Sequence, residues 1–149
     1  MRKYVLDSNC YIDAAAEPVT LGALQRFTAW AAPGLYLSSV VAAELRAGVR
    51  SEEDREALES LVLGPFVRRS RVVTPSHAAW DALGLALAVL RRTDGLQLRQ
   101  MSRSFALDIL LAYSCRENGA TLVTRNTRDM ERIGKVFAFA HVTPYPEQR

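Results

Sequence analysis

Cysteine is nearly absent from this chain, as are lysine, histidine and any long apolar run. Cys10 and Cys115 are too few for a disulfide framework or a thiolate metal cage; a reducing compartment suits them as small, partly buried residues. His77 and His141 stand alone, with no partner at metal or triad spacing, and are read as structural or surface residues. The longest apolar stretch, ALGLALAVL at 82–90, falls far short of the ~18 residues of a membrane span. The N-terminus lacks the charged, apolar and small-residue zones of a signal peptide, so a cytoplasmic protein is expected. There is no glycine-rich phosphate loop, which argues against nucleotide binding of that kind, and no repeat that would suggest a solenoid.

What is present is an ordinary globular composition, 49% hydrophobic and 23% charged over 149 residues. One domain spanning 1–149 is expected, large enough to bury roughly two-thirds of its unfolded surface. Nineteen basic residues against sixteen acidic leave a net charge of +3, a weak pointer to a polyanionic partner. Lys3 and Lys135 are the only lysines, so the positive charge is nearly all arginine, whose planar fork of donors grips phosphate. A GC-rich genome produces the same bias.

Strand and helix signals alternate. KYVLD (3–7) reads as a buried parallel strand, and SNCYIDAAA follows as a helix that Ser8 or Asn9 can cap. Leu21, Leu24, Phe27 and Trp30 recur at helical spacing over 20–30, and Pro33-Gly34 breaks that helix before a second strand at 35–38. Helices are expected at 39–49, capped by Ser38 or Ser39, and at 51–64, closing on Gly64-Pro65. A third strand (71–74) leads to a helix at 77–92, a polar linker, and a long amphipathic helix at 102–119. A fourth strand (120–124), a loop or short helix RNTRDMERIG, and a final strand (135–142) complete the chain. The alternation predicts an α/β fold, a mostly parallel sheet of about five strands covered on both faces with right-handed crossovers. Ligands of such folds gather beyond the carboxyl ends of the strands, where strand order switches.

Several acids converge on that region. Asp7 follows the first strand, Glu44 lies in the helix after the second, Asp108 sits on the long helix before the fourth, and Thr124, Asn126 and Asp129 follow the fourth. Ser104 lies one turn before Asp108. Each residue has a plainer role: an isolated Asp7 is more often a helix cap, and Glu44 could be a solvated helix residue. Asp108 is harder to dismiss, because SFALDILLAY surrounds it with apolar side chains and an unpaired buried charge is heavily penalised. Three acids in one pocket raise one another's pKa unless a cation sits between them, and a hard divalent ion with oxygen ligands provides it.

LDSNCYID, SSVVAAELRAG, ALDILLAYSCRENGATLVTRNTRDMERIG and VTPYP together resemble a PIN-domain protein, in particular a VapC-type toxin of bacterial toxin–antitoxin pairs. The resemblance covers nearly the whole chain, and the register of the four segments carries it. It implies a three-layer α/β/α domain and a metal-dependent endoribonuclease that uses Mg2+ or Mn2+ and leaves a 3′-hydroxyl and a 5′-phosphate. Asp7, Glu44 and Asp108 match the family's acidic triad, Thr124 its hydroxyl residue, and Ser8 and Asn9 the polar residues supporting the first aspartate. Asp7 and Asp108 are the expected metal ligands, with Glu44, Asn126 and Asp129 as further candidates. Many relatives have an aspartate where this chain has Asn126, which puts a second ion in doubt rather than the first. Expected partners are a transfer or ribosomal RNA substrate, an antitoxin seated in a groove between helices 20–30 and 52–63, and a second copy in a homodimer.

Arg91, Arg92, Arg99 and Arg103 flank the linker and are candidates to grip RNA, as are Arg125 and Arg128 beside the pocket; Arg68, Arg69 and Arg71 are weaker ones. Two rivals remain. A phosphoaspartyl enzyme needs a lysine at the carboxyl ends of the strands, and Lys3 and Lys135 are expected at the wrong end. A PIN-like module with little catalysis, serving to bind nucleic acid or a partner, is the alternative that an Asp7→Asn variant separates from the enzyme.

Overall fold

Tyr4, Val5 and Leu6 are all buried, and the strand they build, β1 (Lys3–Leu6), is flanked on both sides by other strands. The computed structural model describes residues 1–149. Its other strands are β2 (Leu35–Ser38), β3 (Val72–Val73), β4 (Ala120–Val123) and β5 (His141–Val142). They form one sheet in the order β3-β2-β1-β4-β5, with every neighbouring pair parallel. β1 pairs with β4 over its full length, Lys3 opposite Ala120 through Leu6 opposite Val123. Strand order therefore reverses between β1 and β4, as expected of a doubly covered α/β sheet.

Eight α-helices cover the sheet: α1 (Ser8–Ala16), α2 (Pro18–Ala31), α3 (Ser39–Gly48), α4 (Glu52–Ala57), α5 (Gly64–Arg68), α6 (His77–Thr93), α7 (Arg103–Glu117) and α8 (Thr127–Gly134). Alternation along β1 divides the core. Val5 joins a cluster built from α3, α6, α7 and α8, including Val41, Leu90, Ile109, Leu111 and Ile133. Tyr4 and Leu6 join a smaller cluster with Cys10 of α1 and Phe27 and Ala31 of α2. These two apolar layers on opposite faces give the three-layer α/β/α arrangement. No helix is long and apolar enough to cross a membrane.

Two expectations from the sequence change. The helix expected to close on Gly64-Pro65 instead runs on to Arg68, through a wide-turned segment at Leu58–Leu63. The Gly64 N–H reaches back to the Glu59 carbonyl, and Pro65 falls in the first turn of α5, where its missing N–H leaves no bond unmade. The last strand shrinks from 135–142 to His141–Val142. Val136, Phe137 and Phe139 are apolar because they pack partly buried against the larger cluster, with the Phe137 ring 5.2 Å from Tyr113, not because they join the sheet. Lys135 accordingly caps α8 rather than opening a strand. RNTRDMERIG resolves into two loop residues followed by α8.

Gly34 precedes β2 where the chain passes against the start of β1, and a methyl group there would collide with the Arg2 carbonyl. Backbone cannot yield as a flexible side chain can. Gly34→Ala is expected to lower stability by about 1–3 kcal/mol, read as a lower denaturant midpoint at unchanged m-value.

Candidate functional site

The carboxyl ends of β1 and β4 release Asp7 and Thr124 side by side at the point where strand order reverses. Asp7 is 3% exposed and Thr124 fully buried. Asp7 caps α1 after all, its Oδ1 accepting the Ser8 N–H at 2.7 Å. Its other oxygen, Oδ2, accepts the Thr124 hydroxyl at 2.7 Å and the Asn9 side-chain amide at 3.2 Å. The same carboxylate is thus both a helix cap and the anchor of a polar cluster that crosses the sheet. Thr124 Oγ1 in turn accepts the Asn126 N–H at 3.0 Å and the Asn9 amide at 3.2 Å.

Glu44 enters from α3, whose start is fixed by Ser38 accepting the Val40 N–H at 3.1 Å. The Ser8 hydroxyl donates to Glu44 Oε2 at 3.5 Å, while Glu44 Oε1 is buried with no hydrogen-bond partner. Asp108, 5% exposed, comes from α7, which Ser102 caps through the Phe105 N–H. The Asn126 amide donates to Asp108 Oδ2 at 3.1 Å and to Asp129 Oδ2 at 3.2 Å. None of these four carboxylates takes part in a salt bridge.

That crowding has electrostatic consequences. Burial, reinforced by the charges of Asp7, Glu44 and Asp129, pushes the Asp108 carboxyl up to about 8, with the Asn126 bond opposing. Burial and the Asp7 charge raise Glu44 as well, offset by the Ser8 hydroxyl and the positive charge of Arg103. The donors are hard oxygens, no salt bridge neutralises them, and one carboxylate oxygen has no partner. Those three facts fit a hard divalent cation. The side chains stand ready without being closed around a point: no three of them already surround one position tightly enough to hold an ion. Binding would draw them together. The cysteines offer nothing to a metal, since burial pushes both thiols up to about 12.

The structure brings Asp7, Ser8, Asn9, Glu44, Asp108, Thr124, Asn126 and Asp129 into one hydrogen-bonded or charge-coupled group. Ser104 lies outside it, exposed on the first turn of α7. Arg103, at the start of the same helix, is near enough for Glu44 to feel its charge. Arg125 is paired with Asp13 at 3.0 Å. Arg91 and Arg92 end α6 beside a depression that also includes Leu98, and Arg99 and Arg128 are exposed. Arg71 donates to the Ala32 and Pro33 carbonyls, which uses it structurally. Two features escaped the sequence reading. Asn126 bridges two carboxylates, which its position alone does not reveal. Asp13 restrains Arg125, and the only available signal was its place one turn after Asn9 on α1.

A family model described as the PIN domain matches residues 4–136. Among solved structures, the chain is similar to DNA-bound VapBC from Salmonella typhimurium, at 22% identity and TM-score 0.71, covering 97% of this chain and 100% of that one. It is likewise similar to FitAcB from Neisseria gonorrhoeae, at 20% identity and TM-score 0.67, covering 95% and 97%. VapBC-1 from nontypeable Haemophilus influenzae aligns at 19% identity and TM-score 0.65, covering 94% and 96%. At these identities the likeness is one of fold. No curated protein matches the chain.

Proposed function

Because the chain belongs to the PIN-domain family, we propose that it is a metal-dependent endoribonuclease acting as the toxin of a VapC-like toxin–antitoxin pair. The observation that carries this reading is the group Asp7, Glu44 and Asp108, crowded beyond the sheet without a salt bridge and with Glu44 Oε1 left unpartnered. Asp7 and Asp108 would hold one Mg2+ or Mn2+, with the Glu44 carboxylate beside it. Bound there, the ion would supply Lewis acidity to a phosphodiester and lower the pKa of a neighbouring water.

The chain's own residues do the rest. Ser8, Asn9 and Thr124 fix both oxygens of Asp7, so its orientation is set before substrate arrives. Glu44 Oε1, free and raised in basicity, accepts the proton of the attacking water, and its other oxygen keeps the Ser8 bond. Arg103, whose charge reaches Glu44, would steady the scissile phosphate, and the more distant arginines would contact the strand nonspecifically. Cleavage leaves a 3′-hydroxyl and a 5′-phosphate. The substrate is a single-stranded loop of transfer or ribosomal RNA, where bases are accessible. The protein works in the cytoplasm as a homodimer. Incubating the purified chain with total cellular RNA and Mg2+ tests the proposal: discrete 5′-phosphate ends support it, and intact RNA at every divalent ion tried overturns it.

The antitoxin reading draws support from an apolar groove of about 280 Å3 between α2 and the α4–α5 segment, lined by Tyr11, Leu24, Leu35, Val62 and Phe66. Leu61 stands at its rim 76% exposed, more than core packing accounts for. Leu61→Asp is expected to reduce co-purification with a co-expressed cognate antitoxin by about tenfold or more, without lowering Tm.

A further inference from the structure

Beside the acidic group, the same edge of the sheet holds a depression of about 330 Å3, within the ~300–1,000 Å3 range of small-ligand clefts. It lies between the end of α1 and the segments that leave β4 and β5, and Asp13, Glu17, Thr20, Arg125, Pro144 and Tyr145 help to line it. Arg125 joins it to the acidic group. Its backbone N–H donates to Asn9 Oδ1 at 3.4 Å, and the Asn9 amide donates to Asp7 at 3.2 Å. The nucleotide beside a phosphate held at Asp7 therefore meets this depression first.

Its polar groups have opposite demands. Arg125 Nη2 lies 3.1 Å from Asp13 Oδ1 and 3.0 Å from Oδ2, which aims the guanidinium and leaves its other donors free, the side chain being 68% exposed. Glu17 Oε2 accepts the Thr20 hydroxyl at 3.1 Å, while its Oε1 takes no bond within the chain. Tyr145, stacked on Phe27 at 5.3 Å, is fixed in place next to Pro144. Among the four bases only guanine has two adjacent donors, N1–H and N2–H2, on one edge and two adjacent acceptors, O6 and N7, on the next. A carboxylate suits the first pair and an arginine fork the second.

We propose that this depression reads a guanosine beside the scissile phosphate, with Arg125 on O6 and N7, Glu17 on N1–H and N2–H2, and Asp13 positioning Arg125. The proposal rests on the nuclease reading for where the scissile phosphate lies; recognition of the base does not require cleavage. Arg125 thereby differs from arginines that touch only the backbone, whose contacts carry no sequence information.

The test is binding of the full-length chain, in Ca2+, to a fluorescein-labelled uridine oligomer with one central guanosine, followed by fluorescence anisotropy. Guanosine at that place is expected to bind about tenfold tighter than adenosine, cytidine or uridine. Substituting 7-deazaguanosine, which lacks the N7 acceptor, or inosine, which lacks the N2 amino group, should each weaken wild-type binding several-fold. Arg125→Ala should erase the first loss and Glu17→Gln the second, which a general effect on folding or charge would not do. Arg125→Lys keeps the charge without the fork and should also be blind to 7-deazaguanosine. Both positions are exposed, and an unchanged Tm checks that the variants fold. Equal affinity for all four bases, or losses that persist in both variants, overturns the proposal. Guanosine-selective binding without RNA cleavage in Mg2+ sinks the nuclease reading alone; base-indifferent binding with cleavage sinks this proposal alone; neither binding nor cleavage sinks both.

Discussion

Asp7→Asn is expected to reduce Mg2+-dependent RNA cleavage at least a hundredfold and to abolish growth arrest on expression, while leaving the fold in place. Loss of a partner that merely orients a metal ligand costs about 10–100-fold, so loss of the ligand's charge should cost more. The fold should survive because asparagine is as good a helix cap as aspartate, and its Oδ1 can keep the Ser8 N–H. The new NH2 group loses the bonds that Thr124 and Asn9 donate to Asp7, a cost of about 1–3 kcal/mol that removal of a buried charge partly offsets. Cleavage assays on the purified variant, with Tm and near-ultraviolet circular dichroism beside them, give the answer. An active, well-folded Asp7→Asn would return the chain to the rival reading of a binding module.

Asp108→Asn should have the opposite effect on stability, raising the metal-free Tm by about 5 °C while abolishing cleavage. Asp108 is an acid whose native pKa, about 8, stands far above the ordinary 3.8, chiefly through burial. The folded state therefore binds the proton more tightly than the unfolded chain does. Stability from this group is fully present below pH ~4 and is lost as pH rises through about 8, so metal-free Tm should slope downward across that window. Asparagine has no charge to bury and should flatten the slope. The gain is about 2 kcal/mol, a fraction of the full shift because water entry and side-chain motion relax a buried charge. Saturating Mn2+ should flatten the slope of the wild-type chain too. A variant less stable than wild type at pH 8 would mean that Asp108 is held charged by favourable bonds, and the crowding argument would fail.

How much of this could be read in the sequence follows from how local each signal is. Buried strands such as KYVL and ATLV, and helices whose caps are Ser38, Ser51, Ser76 and Ser102, declare themselves within a few residues. Alternation implied a parallel sheet, but the meeting of Asp7 and Thr124 needed β1 beside β4, an order that alternation does not fix. Failures came where an apolar residue had two uses. Phe137 and Phe139 look like strand residues but cover the end of α7, and Gly64-Pro65 looks like a stop but begins a new turn. At the site, the sequence supplied the acids and their elements. Asn126 facing both Asp108 and Asp129, Asp13 holding Arg125, and Ser104 turning to solvent depend on rotamers and helix phase, which no short window of sequence encodes.

The pairing of β1 with β4 joins the beginning of the chain to its last third, and the Asp7–Thr124 bond spans 117 positions. A growing polypeptide on the ribosome can display Asp7 almost at once, but it has nothing to orient that carboxylate until residue 124 has emerged. Under the proposed nuclease function, the translation machinery would thereby be spared until β4 has been made, and an antitoxin would gain that interval in which to meet the chain.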